Sequence, residues 1–394
     1  MRTIFFILAL FPAMLFAQTG TAETNFLENA ASRVAGKVNP LTIGGYAQID
    51  YNQPFGAGQL NNGMLEVHRV VLLFGYKYSE KLNFVTEIES EHVNEIYIEQ
   101  AFLDYKLGKY LTLRSGLILI PMGIINEYHE PSTYNGVERP FIDNLLSPTT
   151  WRELGAGFTG NIPAVSLKYQ AYMVTGFAGY KGTTALLDGK SGFRKGRQKG
   201  IMAFASSPDF TGRIDFYGLP KTTVGLSVYN GKTESTLFNG LDRSDSNGIA
   251  RADSSVVGLT MAGADFRFQT SGIGIRGQVY YTSIRNSSQY NSFTGKDLGR
   301  AMTGWYLEAG YDILRVLSST STSLIPFMRY ETADTHFRTD GSIFKNQAYK
   351  FHVLTTGISL KPDTDVALKT DVQIIKDGTG RITNTFNCGV AVWF

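Results

Sequence analysis

The chain ends on Asn384-Thr385-Phe386-Asn387-Cys388-Gly389-Val390-Ala391-Val392-Trp393-Phe394, and every second residue back from Phe394 is apolar as far as Phe386. The intervening row, Trp393, Ala391, Gly389, Asn387, Thr385 and Thr383, is mostly small or polar. Successive side chains of a strand point to opposite faces, so this is a strand with one oily face and one wet face. Such a strand suits a sheet between lipid and water, and equally a half-buried strand of a soluble sandwich. Alternation alone does not separate the two.

The other end of the sequence does. Met1-Arg2 gives a positive start, residues 4–16 are apolar apart from Pro12, and Ala17 is a small residue suited to cleavage. Residues 1–17 read as a secretory signal peptide, too short to span a bilayer. Cys388 is the only cysteine, so there is no disulfide framework. No later apolar run reaches about 18 residues, which excludes membrane helices. A membrane-spanning chain of this kind must be a closed barrel, because in hydrocarbon every backbone polar group needs a partner within the protein. The 42 Gly, 26 Phe and 21 Tyr with a mean hydropathy of −0.09 agree, since barrel strands hide their apolar half by alternation. A net charge of +3 carries no footprint of nucleic-acid binding.

Turn signals recur about every 8–12 residues with no linker between them, which predicts one all-β unit over 41–394 behind a periplasmic lead-in at 18–40. Strands are expected near 43–52, 67–77, 82–89, 95–106, 111–119, 151–160, 164–175 and a stretch ending near 217. The second half adds 222–230, 256–268, 273–284, 302–313, 324–332, 349–360, 365–375 and 382–394. The clearest alternation sets Val366, Leu368, Thr370, Val372 and Ile374 against Ala367, Lys369, Asp371 and Gln373. Segments 95–106 and 349–360 do not declare their phase. The expected architecture is a single transmembrane antiparallel β-barrel of about 16 strands in the cell outer membrane, short turns on one side and long loops on the other.

Three stretches carry a family resemblance: Gly136-Val137-Glu138-Arg139-Pro140-Phe141 continuing to Trp151-Arg152-Glu153-Leu154-Gly155; Arg114-Ser115-Gly116 leading to Pro121-Met122-Gly123; and Gly212-Arg213-Ile214-Asp215-Phe216-Tyr217-Gly218-Leu219-Pro220. They resemble the phosphate-selective porin O and P family of bacterial outer-membrane porins, with Met122 where members carry an aromatic residue. The resemblance implies a homotrimer and a long loop, 121–150, folded into the barrel to narrow it. Four prolines and internal apolar residues argue independently against that loop hanging free. A lid across the mouth is the alternative.

The candidate constriction residues are His129, Glu130, Glu138, Arg139, Asp143 and Arg152, each equally able to anchor the loop by an ion pair. Arg152 and Arg139 are expected to pair with Glu130, Glu138, Asp143 or Glu153, the acids nearest in sequence. Selecting an anion needs a ladder of cations facing the channel, and the wet rows offer Arg69, Arg114, Lys168, Arg213, Arg276, Arg329 and Lys369. They offer as many acids, including Asp215, Asp265, Glu308, Glu331 and Asp371, so selectivity is expected to be weak and anionic at most. Lys190, Arg194, Lys195, Arg197 and Lys199 form the one unbalanced patch, either a solvated loop or a site for anions or lipopolysaccharide phosphates. The five histidines show neither a catalytic pattern nor metal-ligand spacing. No enzyme activity, metal or cofactor is expected. The function expected is passive diffusion of small hydrophilic solutes or ions. A transporter for an apolar or oligomeric ligand, or a structural or adhesion barrel without a pore, stands as the alternative.

Overall fold

The computed structural model describes residues 28–35, 39–56, 61–317 and 321–394; the expected signal peptide and the first part of the lead-in lie outside the described residues. Sixteen strands close into one barrel. In chain order they are β1 Leu41–Phe55, β2 Met64–Lys77, β3 Leu82–Glu91, β4 Glu95–Lys106, β5 Thr112–Leu119, β6 Arg152–Ile162, β7 Leu167–Val174 and β8 Asp209–Leu219. Then follow β9 Thr222–Lys232, β10 Gly258–Thr270, β11 Ile273–Arg285, β12 Ala301–Tyr311, β13 Ser323–Arg338, β14 Lys350–Asp363, β15 Val366–Asp377 and β16 Ile382–Trp393. Each strand pairs antiparallel with its neighbours, and β1 closes on β16 from Tyr46↔Trp393 to Phe55↔Asn384. Phe394 adds the last rung, exchanging both backbone hydrogen bonds with Gly45 at 2.9 Å.

The alternation read from the sequence is the alternation of the wall. Trp305 and Leu307 on β12 are exposed to the outside while Tyr306 and Glu308 are buried within. On β16, Phe386 and Val390 face out, and Asn387 and Ala391 face in. A closed ladder behind an outer surface of Leu, Ile, Phe, Val, Met and Tyr pairs the backbone strand to strand, as a wall facing lipid requires. This is an outer-membrane barrel.

Connections 78–81, 107–111, 163–166, 220–221, 271–272 and 364–365 are short and share one rim with the N-terminal segment. The opposite rim carries 120–151, 175–208, 233–257, 286–300 and 339–349. It is packed rather than loose: a three-stranded sheet (Ala178–Lys181, Thr184–Ala185, Glu234–Ser235) sits there. Trp151 meets Phe177 and Tyr229 there at 4.6 Å between ring centroids.

The lead-in forms a helix, α1 (Ala30–Val34), opened by a capping box between Asn29 and Ser32. It lies against β1, β2 and β3 with Ala30, Ala31 and Val34 packed among Tyr46, Val71, Leu73 and Val85. Gly75 makes this possible, since a Cβ there would stand 2.2 Å from the Val34 carbonyl oxygen. Arg33 ties the helix to the rim through Asp365 at 2.8 Å and lies over the Trp393 ring. Gly75→Val should therefore undock α1 without opening the barrel. Deuterium uptake over residues 29–35 is expected to rise severalfold while heat-modifiable gel mobility stays unchanged; unaltered uptake contradicts this packing.

Candidate functional site

Between β5 and β6 the chain leaves the wall at Ile120 and returns at Trp151. The Ile120 amide still donates to the Trp151 carbonyl at 3.0 Å. The Asn126 side chain staples the neck: it donates to the carbonyls of Ile120 (2.7 Å) and Trp151 (2.8 Å) and accepts from the Trp151 amide (2.7 Å). Gly123 takes a left-handed φ of 69°, and a Cβ on it would lie 1.8 Å from the Tyr280 hydroxyl on β11. Only glycine fits that turn.

From there the segment bonds to inward side chains on strands far from its own. The Ile124 amide donates to Gln278 on β11 (2.6 Å), the Val137 amide to Asp371 on β15 (2.7 Å), and the Ile142 amide to Glu331 on β13 (3.2 Å). Its carbonyls are met mainly by cations. Arg213 donates to Gly123 (3.0 Å), Lys361 to Ser132 (2.9 Å), and Arg276 to Thr133 (3.2 Å). Arg329 donates to Glu138 (3.3 Å). Lys369 donates to three carbonyls, those of Pro131, Tyr134 (2.6 Å) and Gly136 (2.9 Å). Without a β-ladder these carbonyls would be buried unpaired at about 1–3 kcal/mol each.

Three of these cations, Arg213, Arg276 and Arg329, are neutralised by wall carboxylates. Arg213 sits between Asp215 (2.6 Å) and Asp265 (2.7 Å), and Arg329 between Glu308 (3.1 Å) and Glu331 (2.8 Å). Arg276 pairs with Glu308 (2.7 Å), Arg114 with Asp104 (2.8 Å), and Arg69 with Glu89 (3.8 Å). Lys168 stands by the Tyr128 hydroxyl at 3.4 Å. The seven predicted lumen cations all point inward, and four of them, Arg213, Arg276, Arg329 and Lys369, are engaged by the loop backbone.

Of the six loop-region candidates, His129 and Arg152 come together. His129 Nε2 lies 2.9 Å from Glu99 Oε2 and 3.5 Å from Glu87 Oε1, and Arg152 is 3.4 Å from Glu99 Oε1. Glu99, absent from the sequence-based candidates, is the hub. It occupies a bulge: β3–β4 pairing shifts between Glu87↔Gln100 and Ile88↔Ile98, so Glu99 and Gln100 are both buried inward. That extra residue is why segment 95–106 shows no readable phase. Arg152 therefore pairs across the wall and not with the acids beside it in sequence, because the bulge delivers a buried carboxylate at the neck. Arg139 likewise donates to the His129 carbonyl (3.4 Å) instead of a neighbouring acid. Glu138 accepts from Asn52 (3.1 Å), and Glu130 from the Ala30 amide of α1. Asp143 accepts from Gln278 (2.7 Å) and Tyr280 (2.9 Å) through one oxygen and leaves the other without a partner.

The basic stretch after β7 is not a free patch. Arg194 donates to the Thr149 carbonyl (3.0 Å), Arg197 to those of Pro148 (2.9 Å) and Thr150 (3.1 Å), and Lys195 pairs with Asp188 (3.1 Å). Carbonyl acceptors carry no signature in sequence, which is why these arginines read as unpaired.

No family model matches the chain. It is 33% identical over 353 residues to an uncharacterised protein of Aquifex aeolicus (strain VF5), a match covering 87% of this chain and 77% of the relative. The chain belongs to the family of that protein. Among solved structures it resembles the outer membrane channel DcaP of Acinetobacter baumannii (TM-score 0.59, 11% identity, 90% of this chain and 97% of that one). It also resembles OmpF of Salmonella typhi (0.56, 10%, 90% and 97%) and an anion-selective porin from Comamonas acidovorans (0.54, 12%, 90% and 99%). At these identities the likeness is one of fold: a sixteen-strand porin-type barrel.

Burial pushes the Asp143 carboxyl from the usual range up to about 7, with Glu331 adding to the rise and Gln278, Tyr280 and Arg276 opposing it. An acid raised on folding favours the docked loop while protonated, so docking weakens as pH climbs from about 4 through about 7. Current fluctuations in planar bilayers are expected to be more frequent at pH 8 than at pH 5, and Asp143→Asn to flatten that dependence. An identical pH slope in the variant contradicts the assignment.

Proposed function

We propose that the protein is an outer-membrane porin, a channel for passive diffusion of small hydrophilic solutes or ions, with residues 120–151 setting its bore. The observation that carries this reading is the polar inward face of a closed barrel with a long segment laid against it from strand to strand. Sealing so many polar groups without water is unfavourable. In this reading residues 1–17 are removed on export, and lipopolysaccharide surrounds the long-loop rim.

Selectivity is weak and leans toward anions at most. The cations that would form an anion ladder are offset by Asp104, Asp215, Asp265, Glu308 and Glu331, and several are held by loop carbonyls. The resemblance to the phosphate-selective porin O and P family supports the channel class and is not extended to phosphate. A catalytic reading has little support: among the described residues the histidine rings meet carboxylates, carbonyls or a tyrosine, with no serine nucleophile beside them. Assembly as a homotrimer follows from the resemblance. The outward side of Gly45, one of the small residues suited to close contact, is covered by the chain's own Phe394 ring, which shifts any contact toward Ala47.

Three experiments test the reading. Purified protein in planar bilayers should give discrete steps with reversal potentials near zero in a salt gradient; absence of steps favours a ligand-specific transporter or a structural barrel. Deleting 126–145 should raise single-channel conductance severalfold in a barrel that still folds, whereas unchanged conductance places the loop outside the path. Charge reversal at Arg139 should alter ion preference if that side chain faces solute, and gating noise alone if it anchors the loop.

A further inference from the structure

We propose that Glu87, Glu99 and His129 form a binding site for one first-row divalent metal ion of the zinc or manganese kind, joining residues 120–151 to the wall. The three donors come from three elements: β3, the bulge of β4 and the loop. All are buried, and one donor atom from each lies within 4.8 Å of the others. His129 Nε2 stands 2.9 Å and 3.5 Å from the two carboxylate oxygens. Ligands held about 2.0–2.2 Å from a tetrahedral ion sit roughly 3.3 Å apart, so the spacing fits an ion at their centre.

The groups behind the donors are arranged as a metal requires. His129 Nδ1 lies 3.3 Å from the Asn126 carbonyl, which fixes the tautomer that turns the Nε2 lone pair toward the carboxylates. Glu87 is steadied by the Tyr46 hydroxyl (2.9 Å) and by Gln100 (2.6 Å), and Glu99 by the Thr150 hydroxyl (2.5 Å) and Arg152. Arg152 pairs with Glu99 at 3.4 Å, and a divalent ion held between the Glu87 and Glu99 carboxylates is electrostatically favoured. Glu130, next to His129 in the chain, is buried with its Oε2 lacking a hydrogen-bond partner. Nitrogen and carboxylate donors suit zinc or manganese over softer ions. The site was invisible to ligand spacing because its members are brought together only by strand pairing and the loop's return.

The inference stands apart from channel activity, and its test reads metal directly. Full-length protein, folded in detergent and stripped with EDTA, is titrated with zinc chloride and manganese chloride by calorimetry, and its metal content is measured after dialysis. One ion per chain is expected, with affinity falling at least about tenfold in Glu99→Gln and in His129→Gln. His92→Gln, which removes the exposed histidine beside Glu66 and His68, should leave the ion in place. Should the buried variants misfold, X-ray absorption of zinc-loaded wild type decides: one imidazole nitrogen with carboxylate oxygens supports the site. A stripped wild type that stays folded and takes up no ion overturns it, as does binding lost in His92→Gln or a zinc shell without imidazole.

Discussion

A segment that leaves its ladder carries backbone carbonyls with no neighbouring strand to pair them, and the charged inward face of this barrel answers that need. Between 120 and 151 the acceptors are met by Arg213, Lys361, Arg276, Arg329 and Lys369 from the wall and by Arg194 and Arg197 from the next long loop. The guanidiniums of Arg213, Arg276 and Arg329 are also paired with carboxylates, because a buried charge is costly when unpaired. The carboxylates then occupy the positions two along the same strand or directly across. The pairs Arg213 with Asp215 and Arg329 with Glu331 are the simplest cases.

This arrangement has a consequence for transport. A guanidinium whose donors are divided between a carboxylate and a carbonyl offers little to a passing anion, although it remains in the lumen and in the charge count. Fixed charge is therefore high and free charge is low, which supports the proposal of weak selectivity for a wall rich in arginine. The loop is also held at many points by single hydrogen bonds of about 1 kcal/mol net each, so its position is stable without any one contact being decisive. The neck differs: Asn126 makes three bonds there, and Glu99, His129, Thr150 and Arg152 converge on it.

The barrel was legible in the sequence because period-two alternation is a direct record of which face meets lipid. All sixteen strands fall where it placed them, with ends moved by a few residues; β13 runs on to Arg338 past its expected end at 332 because its upper part packs within the rim. The lumen was half legible. That Arg213, Arg329 and Lys369 point inward follows from phase, but phase says nothing of whether the partner is solute, carboxylate or main chain. Glu99 was lost because a bulge breaks the period at the residue that matters most. In β14 both rows are mixed, Val353, Thr355 and Ser359 inward against Leu354 and Ile358 outward, so amphipathicity could not declare the face.

The central claim is that the wall and residues 120–151 share one hydrogen-bonded interior. Amide hydrogen exchange on the protein in lipid nanodiscs tests it most directly. The amides of Ile124, Val137 and Ile142, which donate to Gln278, Asp371 and Glu331, are expected to exchange as slowly as those of the barrel strands. Exchange of those amides as fast as that of the exposed loop around 239–247 would contradict the account.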